Sequence, residues 1–394
     1  MRKENLLYLF LSTLVLSCSS HKQAKEELAF IDASINYPEK EISLTDIADI
    51  TYVYLDSKND DYLYKGRVDY VTQNRIVVID RSSHSILFFS KEGSPVSRFN
   101  RRGQGPDEYA DAASVMYDEK NDDVFVSPDF SNQIMVYSSG GEFKRKITLP
   151  QMNINGQMAL FDDQSILVYD NTKLWRAIMQ NKSTEQVIDS TYFLISKTDG
   201  AVQEYIQLPN KCVDLSPKDP DGVFVGQISY GRVRKCSDGL FLYNPESDTV
   251  FLYRKDKSLT PYLHKTPLLG ESGPMTVMDI CMDAGKFQYL SLYPYSQTGK
   301  SPTPIYCMRD KESGEVFRQK ITISDYQGKD FSVDPRLLSY YEKECHFELD
   351  FTKLEEAYNE NKLSGKLKEL MASVIKEKGE DEANNVFVFV DFHD

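Results

Sequence analysis

Apolar positions in this chain come as short runs of about five residues, split by polar links rather than set at helical spacing. The clearest unit reads RIVVIDRSSHSILFFSKEGSPVSRF, from Arg75 to Phe99. It is a strand, an aspartate with a polar link, a second strand, a K-x-G turn and a third strand. The same order returns from Asp123 to Pro150, and its end returns in YFLISKTDGAVQEYIQLP, Tyr192 to Pro209. Gly239 to Leu263 and Ile305 to Ile323 carry two further copies. The turn before each last strand falls at Gly93, Gly141, Gly200, Lys257 and Gly314, at intervals of about 55 residues. Val, Ile, Phe and Tyr dominate the flanking runs, as a pleated and half-buried surface requires.

Repeated antiparallel sheets at this spacing predict an all-β chain, a six-bladed β-propeller of four-stranded blades, with a solenoid or sandwich as the competing arrangement. Five blades are visible, and the two ends supply the sixth. The chain closes on Asn385 to Phe392 (NVFVFVDF), and EISLTDIADITYVYLD, Glu41 to Asp56, holds one or two strands. An N-terminal strand completing the C-terminal blade would close the ring without a covalent bond. One stretch breaks the pattern. Thr352 and Glu355 match a capping box, Leu363, Leu367, Leu370, Met371, Val374 and Ile375 recur at helical spacing, and Gly379 marks a stop. These residues predict one or two amphipathic helices at about 353–378, inserted into the last blade and packed on its rim.

The ends add an address. Arg2 and Lys3 precede the eleven apolar-run residues Leu6 to Leu16, too few to cross a bilayer core of about 30 Å. Val15-Leu16-Ser17-Cys18 then places an aliphatic residue at −3 and a small one at −1 before cysteine. This looks like a bacterial lipoprotein signal: 1–17 the signal peptide, Cys18 the acylated residue, 18–40 a tether and 41–394 the propeller. Several acyl chains on Cys18, at about 0.8 kcal/mol per buried CH₂, anchor a domain durably.

Together the lipoprotein start, the IVVID…ILFFSKEG blade, RRGQGPDEY and the helix before NNVFVFV resemble six-bladed, NHL-like β-propeller lipoproteins of Gram-negative bacteria, most of them uncharacterised. The resemblance implies a fold and a place in the cell envelope, at the outer membrane. It brings no reaction. Some six-bladed propellers hold calcium at the channel rim and perform lactone hydrolysis or lyase chemistry there, so a calcium-assisted enzyme is the rival reading.

Charge and motifs narrow the chemistry. A net charge of −14, with no basic stripe, argues against nucleic acid. Cys212, Cys236, Cys281, Cys307 and Cys345 are widely spaced and read as small buried hydrophobes, with a Cys212–Cys236 disulfide as the alternative. The histidines lack metal-ligand spacing, so no metal site is assigned. Acidic pairs at Asp60-Asp61, Asp122-Asp123, Asp162-Asp163 and Asp219-Pro-Asp221 suit turns first and calcium second.

The segment NRRGQGPDEY, Asn100 to Tyr109, draws the most attention. Its place between an outermost and an innermost strand makes it a crossing that Gly103, Gly105 and Pro106 shape, with Asp107 or Glu108 pairing Arg101 or Arg102. Its sharper reading is a ligand contact at the channel mouth. Arg101, Arg102, Gln104, Asp107 and Glu108 would then hold a carboxylate or phosphate beside Tyr109. It lacks the Lys-Ser/Thr of a nucleotide P-loop. Tyr289, Tyr293 and Tyr295 offer a stacking platform for a sugar or peptide, against inter-blade packing. The leading expectation is a non-enzymatic, lipid-anchored binding module for a peptide, glycan or envelope protein; a scaffold subunit is the third reading.

Overall fold

The computed structural model describes residues 28–58, 60–66, 68–128, 131–153, 158–170, 191–209, 232–244, 247–267, 276–294, 303–327, 333, 339–341, 344–379 and 382–393. Six antiparallel sheets follow one another along the chain. Blade I contains Val68–Val71, Arg75–Ile79, Ile86–Ser90 and Pro95–Phe99. Blade II runs from Ser114–Asp118 to Phe143–Asn153, and blade III from Met158–Leu160 to Val202–Gln207. Blade IV spans Arg232–Cys236 to Leu259–Thr266, and blade V spans Thr276–Ala284 to Val316–Thr322. Blade VI takes Ser339–Tyr341, Glu344–Leu349 and Val386–Phe392 from the C-terminal end, and Ala48–Tyr54 from the N-terminal end. The register Val386↔Tyr54 to Phe392↔Ala48 joins the two ends. The ring is closed by strand pairing alone, as the sequence pattern predicts.

Two strands extend this closure. Ala29–Asp32 pairs in parallel with Leu263 to Thr266 at the outer edge of blade IV. Glu39–Ser43 pairs in parallel with Arg318 to Thr322 at the outer edge of blade V. The expected tether therefore loses its second half: 29–40 belongs to the propeller as a strap. Each strand of it covers an edge whose free N–H and C=O groups would otherwise invite pairing with another chain. Its charges match its hosts, with Glu39 3.6 Å from Arg318 and Lys40 4.6 Å from the Phe317 ring centroid.

Burial follows the blade interfaces. Six hydrophobic clusters lie between successive blades, the one between blades V and VI including the helices. Alternate residues of a middle strand serve different interfaces: Val77 and Ile79 face blade II, Ile76 and Val78 face blade VI. Both faces of such a strand are dry, which is why it reads as a continuous apolar run. The hairpin glycines have a physical cause as well. Gly93, Gly141, Gly200 and Gly314 all have φ between 73° and 89°, and Lys257 has φ 66°. A β-carbon on Gly93 would lie 2.0 Å from the Tyr54 carbonyl oxygen of blade VI.

The C-terminal insertion is two helices, Phe351–Asn359 and Gly365–Lys378. Asp350 caps the first, its side chain accepting from the Lys353 amide, so the capping register starts two residues before Thr352. Leu354, Leu367 and Met371 are buried in the cluster shared by blades V and VI.

Candidate functional site

Strand direction sorts the connections onto two faces. The links between first and second strands, such as 237–238 and 285–286, and between third and fourth, such as 91–94, are short and lie at one face. At the other face lie, among the described residues, the longer connection 100–113 and the one that bears the helices Phe351–Asn359 and Gly365–Lys378. The elaborated face is where propellers have sequence to spare for recognition.

First strands of the blades line the axis, and blade IV contributes Arg232-Val-Arg-Lys-Cys236. Charged residues in so central a strand need a polar surround. Lys235 extends to blade I on the opposite side of the ring, its Nζ donating to Tyr70 Oη at 2.7 Å and lying 4.5 Å from the ring centroid. This bridge crosses the axis near the short-turn ends of both strands. Arg232 and Arg234 stand nearer the elaborated face, each side chain 31% exposed. The axis is thus bridged near the short turns, with the two guanidinium groups beyond the bridge.

A single carboxylate faces both arginines. Asp279, on the first strand of blade V and 6% exposed, places Oδ2 4.0 Å from Arg232 Nε and 3.8 Å from Arg234 Nη2. Its Oδ1 accepts from Tyr243 Oη, which is buried on the second strand of blade IV. Burial, then the Asp279 charge, drives the Tyr243 pKa well above its ordinary value. Burial works against the Arg234 charge, but Asp279 and Tyr243 outweigh it and the guanidinium pKa rises. Arg232 Nε, Arg234 Nε and Ser291 Oγ are buried without a hydrogen-bond partner. Ser291 sits directly across the strand pair from Asp279. Sequence reading passed over Arg232 and Arg234. The available signal was cations on alternate residues of a first strand, where blade II has Val115 and Met116.

Other expected sites resolve differently. Tyr109 is fully buried between blades I and II, its hydroxyl accepting from the Arg101 amide at 3.1 Å and donating to the His84 carbonyl at 2.8 Å. It cannot wall a ligand. Arg101 Nε donates to Gly141 O at 2.8 Å, Arg102 Nε to Ala110 O at 3.3 Å, and Glu108 accepts from the Gly105 amide at 2.7 Å. Asp107 presents its backbone carbonyl to Tyr137 Oη, and Gln104 is exposed. Among the described residues no ion pair joins these arginines to Asp107 or Glu108; carbonyl acceptors take that place. The segment is an inter-blade clasp spanning the blade I link at His84 and the blade II hairpin at Gly141. Tyr289 is likewise fully buried, its ring 5.7 Å from that of Phe392, so inter-blade packing replaces the stacking role. Tyr293 lies in strand Phe287–Pro294, while Tyr295, Cys18, Cys212 and Asp219 to Asp221 fall outside the described residues.

Cys236, Cys281, Cys307 and Cys345 are not disulfide-bonded, and the last three are buried. The acidic pairs work locally. Asp122 accepts from Tyr117 Oη and the Ser139 amide, Asp123 holds Lys144 and Arg145, and Asp163 pairs with Lys120. Among the described residues no three His, Cys, Asp or Glu side chains gather as a metal-binding group. A separate groove of about 910 Å³ lies on the rim, between the second helix, strand Ala48–Tyr54 and the Lys91–Glu92 turn.

Residues 29–266 match the family described as Domain of unknown function (DUF4934), and the chain belongs to that family. No curated protein matches the sequence. A crystal structure of a Bacteroides fragilis NCTC 9343 protein, described as a "putative exported protein", is similar over 93% of this chain and 100% of that one, at 14% identity and a TM-score of 0.62. A member of the duf4221 family from Bacteroides vulgatus ATCC 8482 covers 88% and 97% at 12% identity, TM-score 0.45. The Staphylococcus aureus virginiamycin B lyase covers 76% and 81% at 14% identity, TM-score 0.38. At 14% identity the first of these likenesses concerns the fold alone.

Proposed function

We propose that this protein is a non-enzymatic binding module of the bacterial cell envelope, held at the outer membrane by acyl chains on Cys18, that presents its elaborated face to a peptide, glycan or partner protein. The observation that carries the reading is the one-sided axis: closed near the short turns by Lys235 and Tyr70, and lined toward the long connections by Arg232, Arg234 and Asp279. Polar groups that converge on one side of such a bridge suit a ligand that docks without passing through.

The test is a thermal-shift screen of the full mature protein against peptides, glycans and divalent cations, because a ligand of the native state raises the melting temperature. A rise with a peptide or glycan, lost when Arg232 is changed to Ala, supports the reading. A flat screen together with stoichiometric co-purification of one envelope protein replaces it with the scaffold role. A rise with Ca²⁺ accompanied by turnover of a lactone replaces it with the enzyme. For the anchor, Cys18→Ser should move the protein from the membrane fraction to the soluble one.

A further inference from the structure

Within that binding face, on whose role this inference rests, we propose that Arg232 and Arg234 form a subsite for a single carboxylate, the α-carboxylate at the end of an extended peptide. Three observations lead there. Two guanidinium groups stand against one carboxylate, and that carboxylate is engaged on its other oxygen by Tyr243. The separations of 3.8 and 4.0 Å exceed hydrogen-bond length, so neither guanidinium fork is filled by Asp279. The buried Nε of each arginine has no acceptor, and neither has the buried hydroxyl of Ser291 a partner. These atoms mark hydrogen-bonding capacity that Asp279 does not use, in two side chains that are otherwise part-exposed.

Charge count selects the ligand. Arg232, Arg234 and Asp279 sum to one net positive charge, and the further charge of Lys235 sits apart from them on the Tyr70 phenol, nearer the short turns. A planar monoanion matches both that charge and the paired N–H donors of a guanidinium, whereas a phosphomonoester carries about −1.5 to −2 at neutral pH. Shape selects the peptide end. The first strands of blades IV and VI come within 8 Å of each other at their Cα atoms, and the Lys235–Tyr70 bridge stops passage beyond them. A slender chain terminus fits such a blind, narrow axis; a chain that continues past its carboxylate, or a sugar ring, does not.

The experiment uses the mature protein and a pool of fluorescein-labelled random pentapeptides, offered with free and with amidated C-termini and read by fluorescence anisotropy. The free-acid pool should bind at least tenfold more tightly, and raised salt should weaken it. Arg232→Gln/Arg234→Gln should reduce the free-acid pool to the level of the amidated one, without lowering the melting temperature of the unliganded protein. Arg232→Lys/Arg234→Lys keeps the charge and the fold but not the forks, and should lie between. Equal binding of the two pools overturns the carboxylate subsite and leaves the binding-face reading standing. Arginine-dependent binding of galacturonate in place of either pool overturns the peptide assignment. No binding, with a lower melting temperature in the Gln variant, makes the arginines structural and removes the binding face with them.

Discussion

At the outer strand of blade I, Phe99 is met by the hairpin of the next blade: a β-carbon on Gly141 would lie 2.5 Å from the Phe99 Cβ. At the outer strand of blade IV, Leu263 is met instead by Ala29 of the strap. The two solutions divide the ring. Tyr54 of blade VI, Phe99 of blade I and Ile147 of blade II each receive the hairpin glycine of the blade that follows, Gly93, Gly141 and Gly200. Blades IV and V carry strap strands, and the blade V hairpin at Gly314 has nothing within 4 Å of where a β-carbon would stand. One mechanism uses shape between neighbours in the repeat; the other borrows a segment from far away in sequence. The first demands glycine, and the second frees the hairpin from that demand.

This contrast predicts a graded set of outcomes. Starting the chain at residue 55 removes both strap strands and the outer strand of blade VI, and should abolish cooperative unfolding by calorimetry; a variant that still melts sharply near the parental temperature breaks the closure argument. Gly93→Ala combines a strained positive φ with a backbone collision and should cost about 2–5 kcal/mol in denaturant melts. Gly314→Ala bears only the conformational part, about 1–2 kcal/mol. Equal losses at the two positions would erase the distinction between the halves. Ile31→Ala, at a fully buried strap position, should cost about 2–4 kcal/mol. Val96→Ala, 45% exposed on the outer strand of blade I, should stay within about 0.5 kcal/mol.

Acid probes the seam where blade VI meets blade I. Burial, then the charges of Lys91 and Lys235, lowers the His346 pKa to about 3. Its imidazole is thus neutral in the fold and protonates readily only when unfolded. Between about pH 6.5 and 3 the unfolded chain binds the extra proton, so stability falls as pH falls through that window. The slope approaches about 1.4 kcal/mol per pH unit. In His346→Gln the melting temperature should depend less on pH from 6.5 to 4.5; an unchanged dependence assigns acid sensitivity to other groups.

Much of the ring was legible because its cause is local. Turn residues at Gly93, Gly141, Gly200, Lys257 and Gly314 announce positive φ, and dry middle strands announce themselves as unbroken apolar runs. The strap was not legible. AFID and EKEIS are short, and EKEIS is charged, and their partners stand at Leu263 to Thr266 and Arg318 to Thr322, beyond the reach of any local pattern. The site misled in a related way. Asn100 to Tyr109 holds a dense motif whose described bonds clasp blades I and II, whereas Arg232 and Arg234 sit in a strand that looks like an ordinary exposed edge. Their meaning comes only from the axis they face.

The seam also fixes an order of events during biosynthesis. Residues 29–54 are synthesised more than 200 residues before the first of their partners, Leu259–Thr266, and Val316–Thr322 and Val386–Phe392 follow later still. Until then the growing chain carries unmatched strands, the kind of edge that attracts chaperones, proteases and other nascent chains. A polypeptide truncated anywhere before Val386 keeps Ala48–Tyr54 without its mate, so synthesis of that last strand is read out directly as closure of the circle.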